Sequence, residues 1–168
     1  MVHQQWDTER WDRLTTSVHK RQSDLSLCIP VFNKEHNASA VIRCAEIFAV
    51  KKVYIIGKRI RFNSAAKGSY KWINIEYVPT YKIFFDSFRS VSPIVVADVR
   101  GSQSLYSFQW PKRSILVLGH EGGVIDIIHK NADYTLKIPQ YGVSDSLNVS
   151  VAAGIFLFHH RQQFDISL

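Results

Sequence analysis

SILVLGHEGGVIDIIHKN, residues 114–131, decides how this chain folds. SILVL is a short, continuously apolar run, the pattern of a strand buried on both faces, where a half-exposed strand would alternate. Gly119 stops it, and the GVIDIIHKN stretch (123–131) carries apolar residues at helical spacing. A buried strand leading through glycines into a helix is half of a βαβ unit. Working outward, the same alternation recurs in both directions. Upstream lie a strand in PIVVADV (93–99), a helix in YKIFFDSFRS (81–90), and strands in INIEYV (73–78) and VYIIG (53–57). Further back come a helix in NASAVIRCAEIFAV (37–50), with Asn37 as its N-cap, and a strand in LSLCIPVF (25–32). Residues 6–21 place Trp6, Trp11, Leu14 and Val18 on a helical stripe. Downstream, YTLKIP (134–139) is a strand, and a polar loop leads to a last helix over 146–163, capped by Ser146 with Asn148 in its first turn. Strands alternating with helices predict an α/β fold, a mostly parallel sheet flanked by helices. Ligands in such sheets bind beyond the carboxyl ends of the strands, which directs attention to the loops near 32–37, 99–104, 119–123 and 139–146.

The 168 residues suffice for one domain, and 46% hydrophobic with 21% charged composition excludes a disordered or collagen-like chain. The longest uncharged stretch near the C-terminus, 146–160, is too short to span a bilayer, so no membrane role is expected. The polar N-terminus lacks the apolar core of a secretory signal, and Cys28 and Cys44 form no CxxC pair, which together predict a cytoplasmic protein. The net charge is +7, and between Lys51 and Lys71 there are seven basic residues and no acid. Such a cluster reads either as a footprint for a polyanion, most often nucleic acid, or as a solvated basic face. No metal is expected: His159 and His160 are adjacent on a helix, and no HExxH occurs.

Two loops carry the chemistry. Gly119, His120, Glu121, Gly122 and Gly123 form a strand-to-helix loop that is neither a Walker A sequence nor GxGxxG. It serves as a tight turn or as a ligand cradle, and Glu121 reads either as a capping carboxylate or as the holder of an arginine. The second loop, IPQYGVSDSLNVS (138–150), puts small polar side chains ahead of an apolar helix, where capping or phosphate binding would use them.

Taken in order, NASAVIR (37–43), LVLGHEG (116–122) and the segment from Ile138 and Pro139 through Gly142 to SLNVS (146–150) resemble the three motifs of the SPOUT superfamily of RNA methyltransferases. The likeness is to the SpoU/TrmH branch, the tRNA and rRNA ribose 2′-O-methyltransferases, and it covers roughly residues 20–163. KRQSDL (20–25) further resembles the tRNA guanosine enzymes of that branch. The resemblance implies a helical extension over 1–24 and a methyltransferase domain over 25–168 whose C-terminal part forms a deep trefoil knot. It also implies a homodimer that binds S-adenosylmethionine in the knot and RNA across both subunits. Arg43 matches the family's catalytic arginine, Asn37 its motif partner, and Ser146 and Asn148 the residues that position phosphate and reacting groups. Glu121 would orient Arg43. Ala97, Gly119, Glu121, Gly122, Ile138 and Leu147 match the cofactor pocket. Lys20, Arg21, Arg59 and Arg61 are the expected RNA contacts.

A guanidinium is always protonated, so Arg43 is expected to face the crevice and stabilise charge rather than act as a literal base. Six positions on a helix set it about 120° from Asn37, which would then act from the cap. His120 stands where the family has Asn, Ser or Gln, and a glycine expected two residues after Gly122 is displaced to Gly123, departures that bear on cofactor affinity. The protein is expected to go without both the extra N-terminal RNA-binding domain of larger rRNA-modifying members and the C-terminal extension of longer tRNA-type members. The implied function is 2′-O-methylation of a tRNA guanosine in the D-loop. Alternatives are rRNA, a wobble-position tRNA nucleotide, or an RNA-binding chaperone with weak turnover.

Overall fold

β1 (Leu25–Pro30) is buried along its whole length, and alternation parts its side chains between two cores. Leu25, Leu27 and Ile29 enter one cluster, while Cys28 enters the other with Tyr54, Ile56 and Phe84. This is the central strand that a continuous apolar run predicts. The computed structural model describes residues 23–120 and 122–164. Around β1 stand β2 (Lys52–Ile56), β3 (Ile75–Val78), β4 (Ile94–Ala97), β5 (Gln103–Ser104), β6 (Ser114–Leu118) and β7 (Tyr134–Lys137). The sheet order is β3-β2-β1-β6-β4-β7-β5, and every pairing is parallel. The expected mostly parallel sheet is therefore parallel throughout the described residues. β5, too short to show any periodicity, is the one strand the sequence did not announce; Ser102 seats it by donating its N–H to Thr135 Oγ1 at 3.1 Å.

One face is covered by α1 (Glu35–Ile47) and α4 (Val149–Phe164), the other by α2 (Tyr81–Phe88) and α3 (Asp126–Lys130). α1 buries Ala38, Val41, Ile42 and Ala45, and α4 buries Ala153, Phe156, Leu157 and His160, both on the i, i+3, i+4, i+7 rhythm of a helix stripe. The two helices pack on each other at Gly154, where a β-carbon would stand 3.8 Å from Cys44 Sγ. The C-terminal half of α4 is tied down from outside. Gln163 accepts the Trp110 N–H at 3.0 Å and donates to the Phe108 carbonyl at 2.7 Å, while Trp110 Nε1–H reaches His159 Nδ1 at 2.9 Å.

Three helix starts differ from the expectations. α1 begins ahead of Asn37: Lys34 is the N-cap with extended backbone, Glu35 puts a negative charge in the first turn, and Asn37 lies inside the helix. α3 does not open at the glycines, because residues 120–123 close a turn of their own and Ile125, still extended, is the N-cap. α4 starts after Asn148, which caps it in place of Ser146. The helix expected over 6–21 lies outside the described residues.

Candidate active site

The carboxyl ends of β1, β4, β6 and β7 lie on one side of the sheet, and the loops leaving them converge with the segment before α4 around a cleft of about 510 Å³. That volume suits a nucleoside-sized ligand. Of the residues predicted from sequence, Asn37, Ala97, Gly119, Ile138, Ser146, Leu147 and Asn148 line it. They come from five separate segments of chain, and only the fold unites them.

Asn148 organises the junction. Its Oδ1 accepts the N–H of Ser150 at 2.8 Å and the Ser150 hydroxyl at 2.7 Å, and its own carbonyl accepts the Ala152 N–H at 3.0 Å, which makes it the N-cap of α4. Its Nδ2 donates to Asn37 Oδ1 at 3.1 Å. Asn37 is buried and fixed on α1. One amide thus couples the start of α4 to the first motif, across 111 positions of sequence. Asn37 acts from within a helix, and the cap belongs to Asn148.

The glycine loop is a tight turn that also forms the cleft wall. His120 and Gly123 exchange backbone hydrogen bonds, N–H to carbonyl, at 3.1 and 2.8 Å. Glu121 lies outside the described residues. His120 Nδ1 accepts the Gly122 N–H at 3.3 Å, the local service that a short polar side chain performs in an Asx turn. The histidine departure from the family pattern is therefore structurally accommodated. Gly119 permits no side chain: a β-carbon would meet Val124 Cγ2 at 2.8 Å and the Gly123 carbonyl oxygen at 3.2 Å. Gly122 is exposed and not among the lining residues described, whereas Gly123 is.

Asp98 is a cleft residue that the sequence analysis passed over. It is buried, accepts the Arg100 N–H at 2.9 Å, and its other oxygen lies 2.9 Å from His129 Nε2. An acid directly after the apolar run of β4 was the available signal, since a carboxylate is rarely buried there without a partner.

Arg43 is not among the residues lining the cleft; it is exposed on the outer side of α1. The helix itself is the reason. Six residues from Asn37 is about 9 Å along the axis and about 120° around it. Its neighbour Cys44 sits toward α4, with Sγ 3.9 Å from the Ser150 carbonyl, and burial pushes that thiol up while the Arg43 charge pulls it down. Arg59 and Arg61 are exposed on the segment after β2. Lys20 and Arg21 lie outside the described residues. The basic run also divides: Lys51 pairs with Asp24 and Lys52 with Glu76, while Lys58, Arg59, Arg61, Lys67 and Lys71 have no carboxylate within ion-pair distance among the described residues.

Residues 24–158 match the SpoU rRNA Methylase family. The chain belongs to that family. Among SpoU relatives, the tRNA (guanosine(18)-2′-O)-methyltransferase of Aquifex aeolicus is 34% identical over 162 residues, 92% of this chain and 77% of the relative. The crystal structure of the A. aeolicus TrmH/SpoU tRNA modifying enzyme superposes with a TM-score of 0.82 at 32% identity, covering 93% of this chain and 83% of that one. The fold is shared more widely: the SpoU methyltransferase AviRb from Streptomyces viridochromogenes, solved in complex with the cofactor AdoMet, gives a TM-score of 0.75 at 22% identity, covering 84% of this chain and 61% of that one.

Proposed function

We propose that this SpoU protein binds S-adenosylmethionine in the cleft and methylates the ribose 2′-hydroxyl of a guanosine in the D-loop of tRNA. The observation that carries this reading is the meeting of Asn37, Gly119, Ile138, Ser146, Leu147 and Asn148, from three separated motifs, around one cavity. The A. aeolicus relative named above points to the substrate: it is a tRNA (guanosine(18)-2′-O)-methyltransferase, and the likeness spans most of both chains.

The cleft fits the cofactor. Gly119 and the loops around Ala97, Ile138 and Leu147 wall the cleft, and Asp98, held by His129 and Arg100, stands in the same wall. When bound, S-adenosylmethionine supplies a methyl that is already electrophilic. The work left to the protein is to hold the hydroxyl in line and to stabilise the alkoxide charge as it develops. Ser146 and Asn148 at the mouth orient phosphate and ribose, with Asn37 holding the Asn148 amide in place. Arg43 binds from the surface of α1 alongside, contributing positive charge and a two-pronged donor set to RNA that crosses the helix. Lys20 and Arg21, on an N-terminal extension over 1–24, and Arg59 and Arg61 add phosphate contacts.

The knot in the C-terminal part is supported by the strand order, which seats β6 between β1 and β4 and β7 between β4 and β5. A homodimer is supported by α4. Its inner stripe is buried in the subunit, yet Val151, Ile155 and Phe158 remain exposed on the opposite stripe, with Ile47 exposed at the adjacent end of α1. A helix apolar on both sides calls for cover on both sides. No described helix is long and apolar enough to cross a membrane. A tRNA substrate supports a cytoplasmic location.

The test is transfer of labelled methyl groups from S-adenosylmethionine to unmodified tRNA and rRNA transcripts, with the product mapped by its resistance to alkaline cleavage. One protected guanosine in the D-loop is expected. Protection at a wobble nucleotide or in rRNA replaces the substrate, and cofactor binding without transfer to any RNA leaves an RNA-binding relative in place of an enzyme.

A further inference from the structure

The segment between β2 and β3 joins cations that have no carboxylate partner among the described residues to a set of aromatic rings. Phe62 and Tyr70 stack at 5.2 Å with their planes only 16° apart, and Tyr70 is still 38% exposed. Trp72, two residues on, is 40% exposed. The segment is a built surface with fixed positions. Asn63 donates its N–H to the buried hydroxyl of Ser39 on α1 at 3.0 Å, and its own side chain accepts the Ala65 N–H at 3.0 Å. Arg59 lies over the Tyr77 ring, 5.5 Å from its centre.

Its position relative to the site follows from helix geometry. Ser39, which anchors the segment, and Arg43 are four residues apart and so occupy one stripe of α1. The segment therefore packs on α1 at Ser39, one turn ahead of the exposed Arg43.

We propose that Tyr70 and Trp72 form a stacking platform for unpaired bases of the RNA strand, with Arg59, Arg61, Lys67 and Lys71 taking the neighbouring phosphates. This rests on the RNA reading above and adds to it a preference for single-stranded over duplex substrate. Rings and cations together have that meaning: every base offers a π-face, and the backbone offers the charge. In a duplex the base faces are stacked on one another and cannot reach a ring, so only a splayed loop or single strand uses both features. A docked acidic protein segment would use the cations and leave the rings without function.

The experiment compares the full-length protein with Tyr70→Leu, Trp72→Leu and Tyr70→Phe. Leucine keeps an apolar side chain at each position, against Phe62 in the case of Tyr70, while removing the ring, so loss of the fold does not mimic the effect, and circular dichroism verifies it. The probes are a short single-stranded oligoadenylate carrying 2-aminopurine and a duplex of equal length. The wild type should prefer the single strand and quench the 2-aminopurine. Each leucine variant should weaken single-strand binding about tenfold, the scale of one stacked base, with the dependence on salt and the duplex affinity unchanged. Tyr70→Phe should bind as wild type does. Equal wild-type affinity for the two probes, or single-strand binding untouched by both leucine variants, overturns the platform while leaving RNA recognition standing. A wild type that binds neither RNA overturns the RNA reading, and the platform with it.

Discussion

Arg43 and Asn37 occupy one helix but two environments, the first exposed beside the cleft and the second buried within its wall. That separation predicts divided consequences. If Arg43 meets RNA and developing charge, Arg43→Ala lowers methyl transfer by about a hundredfold, the scale of one positioned electrostatic donor. Cofactor affinity stays nearly constant, because the cleft is walled by other residues. Arg43→Lys restores little, since a point charge does not replace a planar fork. Steady-state transfer to tRNA alongside calorimetric titration with S-adenosylmethionine measures both quantities. Loss of cofactor binding together with turnover would put Arg43 in the pocket, and full activity would make it a solvated surface residue. The sequence held the identity of this residue but not its direction. The start of α1 was set by the extended backbone at Lys34 and the acid at Glu35, two residues ahead of the asparagine that looked like the cap. Shifting a helix start leaves every residue type in place and changes the environment that each one meets.

At the scale of elements, the start of α4 and the crossing at β7 are the two places where the site depends on geometry that admits few substitutes. Asn148→Ala removes the cap and should cost about 1 kcal/mol, read as a lower midpoint in thermal or urea unfolding. Asn148→Asp restores most of that, because a carboxylate accepts the Ser150 N–H and suits the positive end of the helix. Methyl transfer should stay low in both variants, since neither keeps the Nδ2 donor to Asn37. Recovery of activity with the aspartate would show that capping is all Asn148 does. Gly101, in the loop after β4, packs against β7 so closely that a β-carbon would fall 2.4 Å from the Leu136 carbonyl carbon and 2.7 Å from the Lys137 nitrogen. Backbone cannot step aside as a side chain can, so Gly101→Ala should destabilise by about 3 kcal/mol, at the upper end of overpacking. Unfolding midpoints unchanged within error would overturn that contact. The strands themselves were legible because continuous apolar runs admit few readings in an α/β chain. β5 and the exact bounds of α3 were not, being decided by the hydrogen bond that Ser102 donates to Thr135 and by the turn at His120 and Gly123, which leave no periodicity in sequence.

Over the whole molecule, the alternation of strand and helix announced the layers and the side of the sheet where ligands gather, whereas the strand order, and with it the meeting of β1, β4, β6 and β7, is a long-range result that no local pattern encodes. The same holds for what covers the outer face of α4. The exposed stripe of Val151, Ile155 and Phe158 is contiguous at i, i+4 and i+7, and Phe158, 56% exposed, meets Phe48 edge-on with centroids 6.3 Å apart. Leaving such a stripe in water forgoes about 1.5–3 kcal/mol for each large side chain, and pairing with a second copy recovers it twice by symmetry. Phe158→Glu sets two like charges against each other across a two-fold interface of this kind, so it should turn a dimer into a monomer at micromolar concentration, visible in sedimentation. The subunit should remain folded, because the buried side of α4, Ala153, Phe156, Leu157 and His160, is untouched. Methyl transfer to tRNA should fall steeply with dimer loss while cofactor binding falls less, since the cleft is built from the loops of one chain and the RNA surface is proposed to run across two. A wild type that sediments as a monomer with full activity removes the dimer from the mechanism. A Phe158→Glu protein that stays dimeric moves the interface to another face.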